Sequence, residues 1–258
     1  MQTPNSKVKN AIPALTRRQF SALALALGLA PWPGRLPAEA ELSGLPAEVA
    51  GVRIPTSTIA VRAVRLARRS CPEFLFNHCM RTFIFGALAL QKQRLAYDSD
   101  EAFVAAALHD LGLMPAYASS SQSFEVDGAD AAEKFARDVG WRAAQADVVW
   151  HGVALHDVRL AITRRAGPEA LLVALGASCD VDGVDLDTEV EQKQFAEVIA
   201  AFPRLQFKQR FTALLIDHCK RKPLSQRGTW LEGLCREQVP HAFTETVEQD
   251  IAAAPFAE

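Results

Sequence analysis

Apolar residues return every three or four positions through most of this chain, and no run alternates apolar with polar long enough to form a strand. That period predicts an all-α fold. It is clearest from Pro72 to about Gln93, where Phe74, Leu75, His78, Arg81, Thr82, Phe85 and Leu88 follow helical spacing and Pro72 suits the first turn. Ahead of it, residues 41–57 hold Gly44, Pro46, Gly51 and Pro55 and read as an irregular lead-in, after which Thr56 or Ser57 caps a helix through Ile59, Val61, Val64 and Leu66. Ser99 is the expected cap of a helix from Asp100 to about Leu111, whose Ala102, Ala105 and Ala106 permit close packing. A Gly/Pro/Ser-rich loop spans 112–123. Helices are expected at 128–139, 142–156, 168–179, 187–201 and 204–221, separated by Gly140, Gly167-Pro168, Asp182-Gly183 and Pro203.

At 258 residues, about half of them apolar, one helical domain over 58–225 buries a core without clips, leaving 226–258 as a C-terminal extension. The five cysteines (Cys71, Cys79, Cys179, Cys219 and Cys235) are odd in number and form no C-x-x-C pair. They read as small buried hydrophobes, with neither a disulfide framework nor a zinc ribbon indicated.

Residues 1–40 read as a cleavable address. Thr16-Arg17-Arg18-Gln19-Phe20 precedes an apolar run from Ser21 to Ala30, then Pro31 and Pro33, and Ala38-Glu39-Ala40 places small residues at a cleavage site. The run is about ten residues, against the roughly 20 needed to span a bilayer, so no permanent membrane anchor is expected. The paired arginines resemble a twin-arginine export signal, which implies the export machinery as a partner and a periplasmic or secreted protein. Beyond residue 40 the chain holds 23 basic and 29 acidic residues, net −6. A nucleic-acid partner needs a basic footprint, so none is expected.

His109-Asp110 closes an apolar helix. Burying an imidazole beside a carboxylate is costly unless both are bound, and a divalent cation satisfies both. The dipeptide alone is weak, since His156-Asp157 repeats it. His78 lies on the preceding helix, within Phe76-Asn77-His78-Cys79-Met80-Arg81-Thr82, and Asp180 ends a later one. Each has a plainer alternative: His78 as a core histidine bonded to a carbonyl, and Asp180 as a helix or turn cap with Asp182 the ligand in its place. Glu125 caps a helix or orients a ligand histidine. Arg81 binds an anionic substrate or pairs with a carboxylate, and Lys208 has the same two readings. His151 and His156 are five apart, about 140° around a helix, so only one of them faces a given metal.

The order His78, His109-Asp110, Asp180, each on its own helix, resembles the metal site of the HD-domain superfamily. Ser123-Phe124-Glu125-Val126-Asp127-Gly128-Ala129, Ala154-Leu155-His156 and Pro203-Arg204-Leu205-Gln206-Phe207-Lys208 resemble its cyanamide-hydratase-like branch. The resemblance covers about 58–225. It implies a single HD-type helical bundle with one divalent ion (Fe, Mn, Zn, Ni or Co) held by His78, His109, Asp110 and Asp180. It also favours His156 over His151 for the pocket and puts Phe124 and Glu125 near the metal.

Four ligands leave positions open for water and substrate, and a bound divalent ion brings the pKa of its water from ~16 toward ~7. Asp110 or a pocket histidine then takes the released proton. The resulting hydroxide adds to a small nitrile-type substrate, as the branch implies for cyanamide and urea, or it attacks a small phosphoester. In the latter case Arg81 and Lys208 offset the phosphate charge. A third reading is a non-catalytic HD sensing module, against which the complete ligand set stands.

Overall fold

The computed structural model describes residues 45–183 and 192–256. The expected export signal at 1–40 and the first residues of the lead-in lie outside the described residues, as do residues 184–191. Among the described residues the chain is predominantly helical. Its single sheet is a minimal antiparallel hairpin, β1 (Glu48–Val49) against β2 (Val52–Arg53), in the lead-in where no strand is expected. Ala50 and Gly51 both adopt positive φ, the backbone that a tight two-residue hairpin turn demands. Buried Val49, Val52 and Ile54 join the hairpin to the core.

Helix α1 (Thr58–Ser70) is capped by Ser57, whose hydroxyl accepts from the Ala60 amide at 3.2 Å. Helix α2 (Glu73–Gln93) is buried at every position from Phe74 to Leu90, so it has no solvent face over four turns and forms the axis of the domain. Helix α3 (Ser99–Leu108) is likewise buried from Ala102 to Leu108. Its cap is Asp98 and not Ser99, because the longer carboxylate accepts from both the Asp100 and Glu101 amides at 3.0 Å. Helix α4 (Phe124–Asp138) begins four residues before the expected 128, and α5 (Ala143–Ala154) follows. Helix α6 (Leu160–Ala166) is too short and too polar for its period to stand out. Helix α7 (Pro168–Val181) starts on its proline, and α8 (Gln192–Ala201) is the described part of the helix expected over 187–201. Helices α9 (Phe207–Arg221), α10 (Glu232–Gln238) and α11 (Val247–Ala252) complete the chain. No described helix is long and apolar enough to cross a membrane.

Helix α2 packs most extensively on α7, and glycines set their distance. A Cβ on Gly176 of α7 would stand 1.8 Å from the Thr82 carbonyl oxygen of α2, and one on Gly86 would stand 2.1 Å from that of Leu172. The backbones therefore touch, which brings His78 on α2 and Asp180 on α7 within direct reach.

Three cysteines are buried and outside any disulfide, and burial pushes the Cys71 thiol up to about 12 and Cys79 well above the ordinary thiol range. Cys219 and Cys235 depart from the expectation for all five: they form a disulfide that ties α10 to α9 across 16 residues. Closing a loop of that length restricts the unfolded chain by about 3 kcal/mol. Cys235→Ser is therefore expected to lower the thermal midpoint by several degrees. Reductant should lower the parent by a similar amount and leave the variant unchanged, as followed by circular dichroism.

Candidate metal centre

His109 is the last residue before the backbone leaves α3, and Asp110 turns the chain into a 3-10 segment, Leu111–Leu113. Gly112 in that segment admits the Phe124 carbonyl oxygen, which would lie 1.9 Å from a Cβ there. The Leu-Gly-Leu sequence thus seats the start of α4 directly against the His-Asp turn.

His109 Nδ1 donates to the Ala106 carbonyl at 2.8 Å, and His78 Nδ1 donates to Asp180 Oδ2 at 2.7 Å. Carbonyl and carboxylate oxygens can only accept, so each Nδ1 carries a hydrogen, and in the neutral form of either ring the lone pair is on Nε2. The two Nε2 atoms face one another across 3.2 Å. Asp110 Oδ2 joins them, 3.5 Å from His78 Nε2 and 3.4 Å from His109 Nε2. All three residues are buried, and neither Asp110 oxygen receives a hydrogen bond. Burial pushes the His109 imidazolium down to about 3, with His156 and His78 adding to the effect against Asp110, so His109 Nε2 carries no proton at neutral pH. Two imidazole nitrogens and a carboxylate oxygen that accepts no hydrogen bond, converging in one buried place, fit a divalent cation.

Asp180 takes a different place from the ligand set expected above. Its carboxylate lies behind His78, receiving Arg81 Nε on Oδ1 at 2.8 Å, Arg81 Nη2 on Oδ2 at 2.7 Å and Arg204 Nη1 on Oδ1 at 2.6 Å. Burial alone would raise its pKa, yet the hydrogen bonds from His78 and Arg81 overcome that and hold it well below the usual carboxylate range. Both oxygens are occupied, so Asp180 orients His78 from the second ring nitrogen. Arg81 is wholly buried, and Nη1 continues to the Phe202 carbonyl at 3.0 Å. Of its two expected roles, pairing with a carboxylate is the one seen, and the guanidinium has no face left for an anionic substrate. Lys208 is exposed on α9 and is not among the residues that line the cavity beside His156.

His156 is buried, and its ring meets that of His109 edge-on at 4.9 Å between centroids. Nδ1 donates to the Val153 carbonyl at 2.6 Å, leaving Nε2 as an acceptor. His151 points outward, bonded to the Asp147 carbonyl at 2.9 Å and stacked edge-on against Trp150. The helix expected to run to 156 ends at Ala154, so His156 lies in the turn past it and the bend of the chain, not a helical angle, separates it from His151. Phe124 is buried and packs between His156 and His218, at 5.8 and 5.6 Å, so it braces the pocket histidine from behind.

A cavity of about 90 Å³ opens beside His156, lined by Asp157, Ala177, Ser178, Val181, Asp182, Phe211 and Trp230 as well, with no lysine or arginine among these. His156 and Phe211 stand between it and the trio, since the Phe211 ring lies 5.6 Å from that of His78. Glu125, read as a cap or an orienter of a ligand histidine, does neither. It is buried in the first turn of α4 with both oxygens lacking a hydrogen bond. Burial, then the Asp157 carboxylate, push it up to about 9.

Several residues of the site carry no signal in the pattern of candidate ligands. Arg204 and Phe207 belong to the Pro203–Lys208 segment, yet there the lysine alone is given a role. Phe207 stacks on His78 at 4.8 Å and Arg204 lies over Phe207 at 4.8 Å. Trp230 sits in the extension, where buried Leu231 and the Cys219–Cys235 bond join that segment to the core. No protein-family model matches the chain, and no curated protein matches it.

Proposed function

We propose that this chain is a metal-dependent enzyme of the HD-domain superfamily that hydrates a small, uncharged, nitrile-type substrate. The observation that carries the reading is the convergence of two imidazole Nε2 atoms and an Asp110 carboxylate that accepts no hydrogen bond, in a buried site. Those residues fit a divalent ion, which when bound supplies Lewis acidity and makes water nucleophilic near neutral pH. His78, His109 and Asp110 would hold it, with Asp180 fixing the His78 ring.

The cavity supports the substrate class. About 90 Å³ is far below an ordinary drug-sized pocket of several hundred. A phosphoester needs convergent cations; of the two basic residues expected to supply them, Arg81 is committed to Asp180, and Lys208 is exposed and does not line the cavity. His156 spans the two spaces, touching His109 on one side and the cavity on the other, with Nε2 free to take a proton from water. The protein is further proposed to be exported through the Arg17-Arg18 signal. The Cys219–Cys235 disulfide suits an oxidising compartment.

Metal quantitation on the purified chain tests the centre, and urea formation from cyanamide beside phosphate release from an aryl phosphate and a nucleoside monophosphate tests the chemistry. The parent should carry one divalent ion and form urea. His109→Ala and Asp110→Ala should lose the ion and at least about 100-fold in turnover, while helical content is retained. Metal at background overturns the centre. Phosphate release without urea overturns the hydratase reading.

A further inference from the structure

Among the described residues that line the cavity beside His156, Trp230 alone comes from outside the helical domain expected over 58–225. It lies in the turn between the 3-10 segment Pro223–Gln226 and α10. His156, Ala177 and Phe211 are buried, while Trp230 and Asp182 are exposed, so these two stand at the rim. A single exposed indole is ordinary on a protein surface. What sets Trp230 apart is that the chain on both sides of it is fastened down. Leu231 is 1% exposed within the core, and its amide donates to the Thr229 hydroxyl at 3.2 Å. That hydroxyl donates to Gln226 Oε1 at 2.7 Å, and the fully buried Gln226 donates from Nε2 to His218 Nε2 of α9 at 2.9 Å. The Cys219–Cys235 bond closes the same loop one residue beyond His218. The indole itself is 53% exposed, so its place at the rim is set by this anchoring and not by burial of its own apolar surface.

We infer that Trp230 is the specificity-determining residue of this cavity: its indole closes the rim and restricts the nitrile-type substrate to the smallest members of that class. The chemical identity of the substrate rests on the hydratase reading, whereas the size limit rests on the cavity. Of the other walls, α7 contributes Ala177 and Val181, one turn apart on a helix whose backbone touches α2, and α9 contributes Phe211, whose ring packs on that of His78. Neither wall can retreat without disturbing the metal centre. Trp230 belongs to neither helix and has water on its outer face, so it is the wall whose size is set independently of the chemistry. The space of about 90 Å³ is well below that of a drug-sized pocket, and removing the indole joins it to solvent. A substrate with alkyl groups in place of the N–H hydrogens of cyanamide would have to occupy the volume that the indole takes.

Cyanamide and diethylcyanamide present the same reacting group with different bulk, which isolates size. The metal-loaded parent should hydrate cyanamide in strong preference to diethylcyanamide. Trp230→Ala should raise the ratio of kcat/KM for diethylcyanamide to that for cyanamide at least about tenfold, the scale for a methylene-sized mismatch in a tight pocket, with metal content held. Trp230→Leu, which keeps an apolar side chain over the turn, should shift the ratio in the same direction by less. General damage to the protein would lower both rates and leave the ratio alone. Binding gives a readout without turnover: saturation-transfer NMR should show the ethyl protons of diethylcyanamide in contact with Trp230→Ala and not with the parent. An unchanged ratio, or saturation transfer to both proteins equally or to neither, overturns the rim role. Transfer confined to the variant, in preparations that form no urea, upholds the size limit and removes the hydratase reading, so the two failures are distinguishable.

Discussion

Arg81→Met should cost roughly 3–5 kcal/mol of stability, the scale for leaving one member of a buried ion pair without its partner. For a domain of this size that is a fall in thermal midpoint of about 10 °C. Arg81 is completely buried and its guanidinium makes two parallel bonds to Asp180 and a further one to the Phe202 carbonyl, so one side chain joins α2, α7 and the turn ahead of α9. Methionine fills much of the volume and none of these bonds. Asp180 would keep Arg204 and His78, which places the loss within the range for a partly compensated carboxylate. Arg81→Lys should recover little, because an ammonium cannot reproduce the two-pronged geometry. Arg204→Met, whose side chain is 24% exposed, should cost less. Thermal and urea unfolding decide this. A variant that melts with the parent but raises KM would instead make Arg81 a substrate-binding group.

The difference between that role and the one the sequence suggests lies in what spacing can report. Three-to-four-residue periods locate α2, α3, α5, α7 and α9 because each buries a broad apolar surface, and the hairpin at 48–53 is too short to carry a period of its own. The same period puts His78 and Arg81 on one helical face and so makes both candidates for the site, but it is silent on what faces them from 100 residues away. Asp180 meets His78 through Nδ1 and not Nε2, a distinction of ring rotation set by Arg81, Arg204 and Phe207 together. Likewise helix angle separates His156 from His151 only on a helix that runs through both, whereas α5 ends at Ala154 and the turn after it carries His156 inward. Asp157 shows the reverse problem: it is visible as a repeat of the dipeptide and uninformative until the cavity is placed beside it.

Gly176→Ala is expected to be more damaging than any other single methyl added to the described helices. In an exposed helix the change would gain about 1 kcal/mol, since alanine loses less conformational freedom on folding. Here the new methyl would stand 1.8 Å from the Thr82 carbonyl oxygen, 2.7 Å from its carbon and 3.0 Å from the Gly86 amide nitrogen, all backbone atoms of α2. No rotamer change relieves a clash with backbone, so α2 and α7 must move apart. Both are buried along almost their whole length, and separation opens the core on every side. The loss should exceed about 3 kcal/mol, the upper end of ordinary overpacking. Its second consequence is local to the metal centre: the His78–Asp180 bond spans the same two helices at 2.7 Å, so parting them releases the His78 ring and should lower metal content even in the fraction that stays folded. Gly233→Ala on α10, where no atom lies within 4 Å of the new methyl, is the matched control and should be neutral or slightly stabilising. Equal midpoints for Gly176→Ala and the parent would mean that the crossing yields without cost, and the account of how α2 and α7 position the site would fail with it.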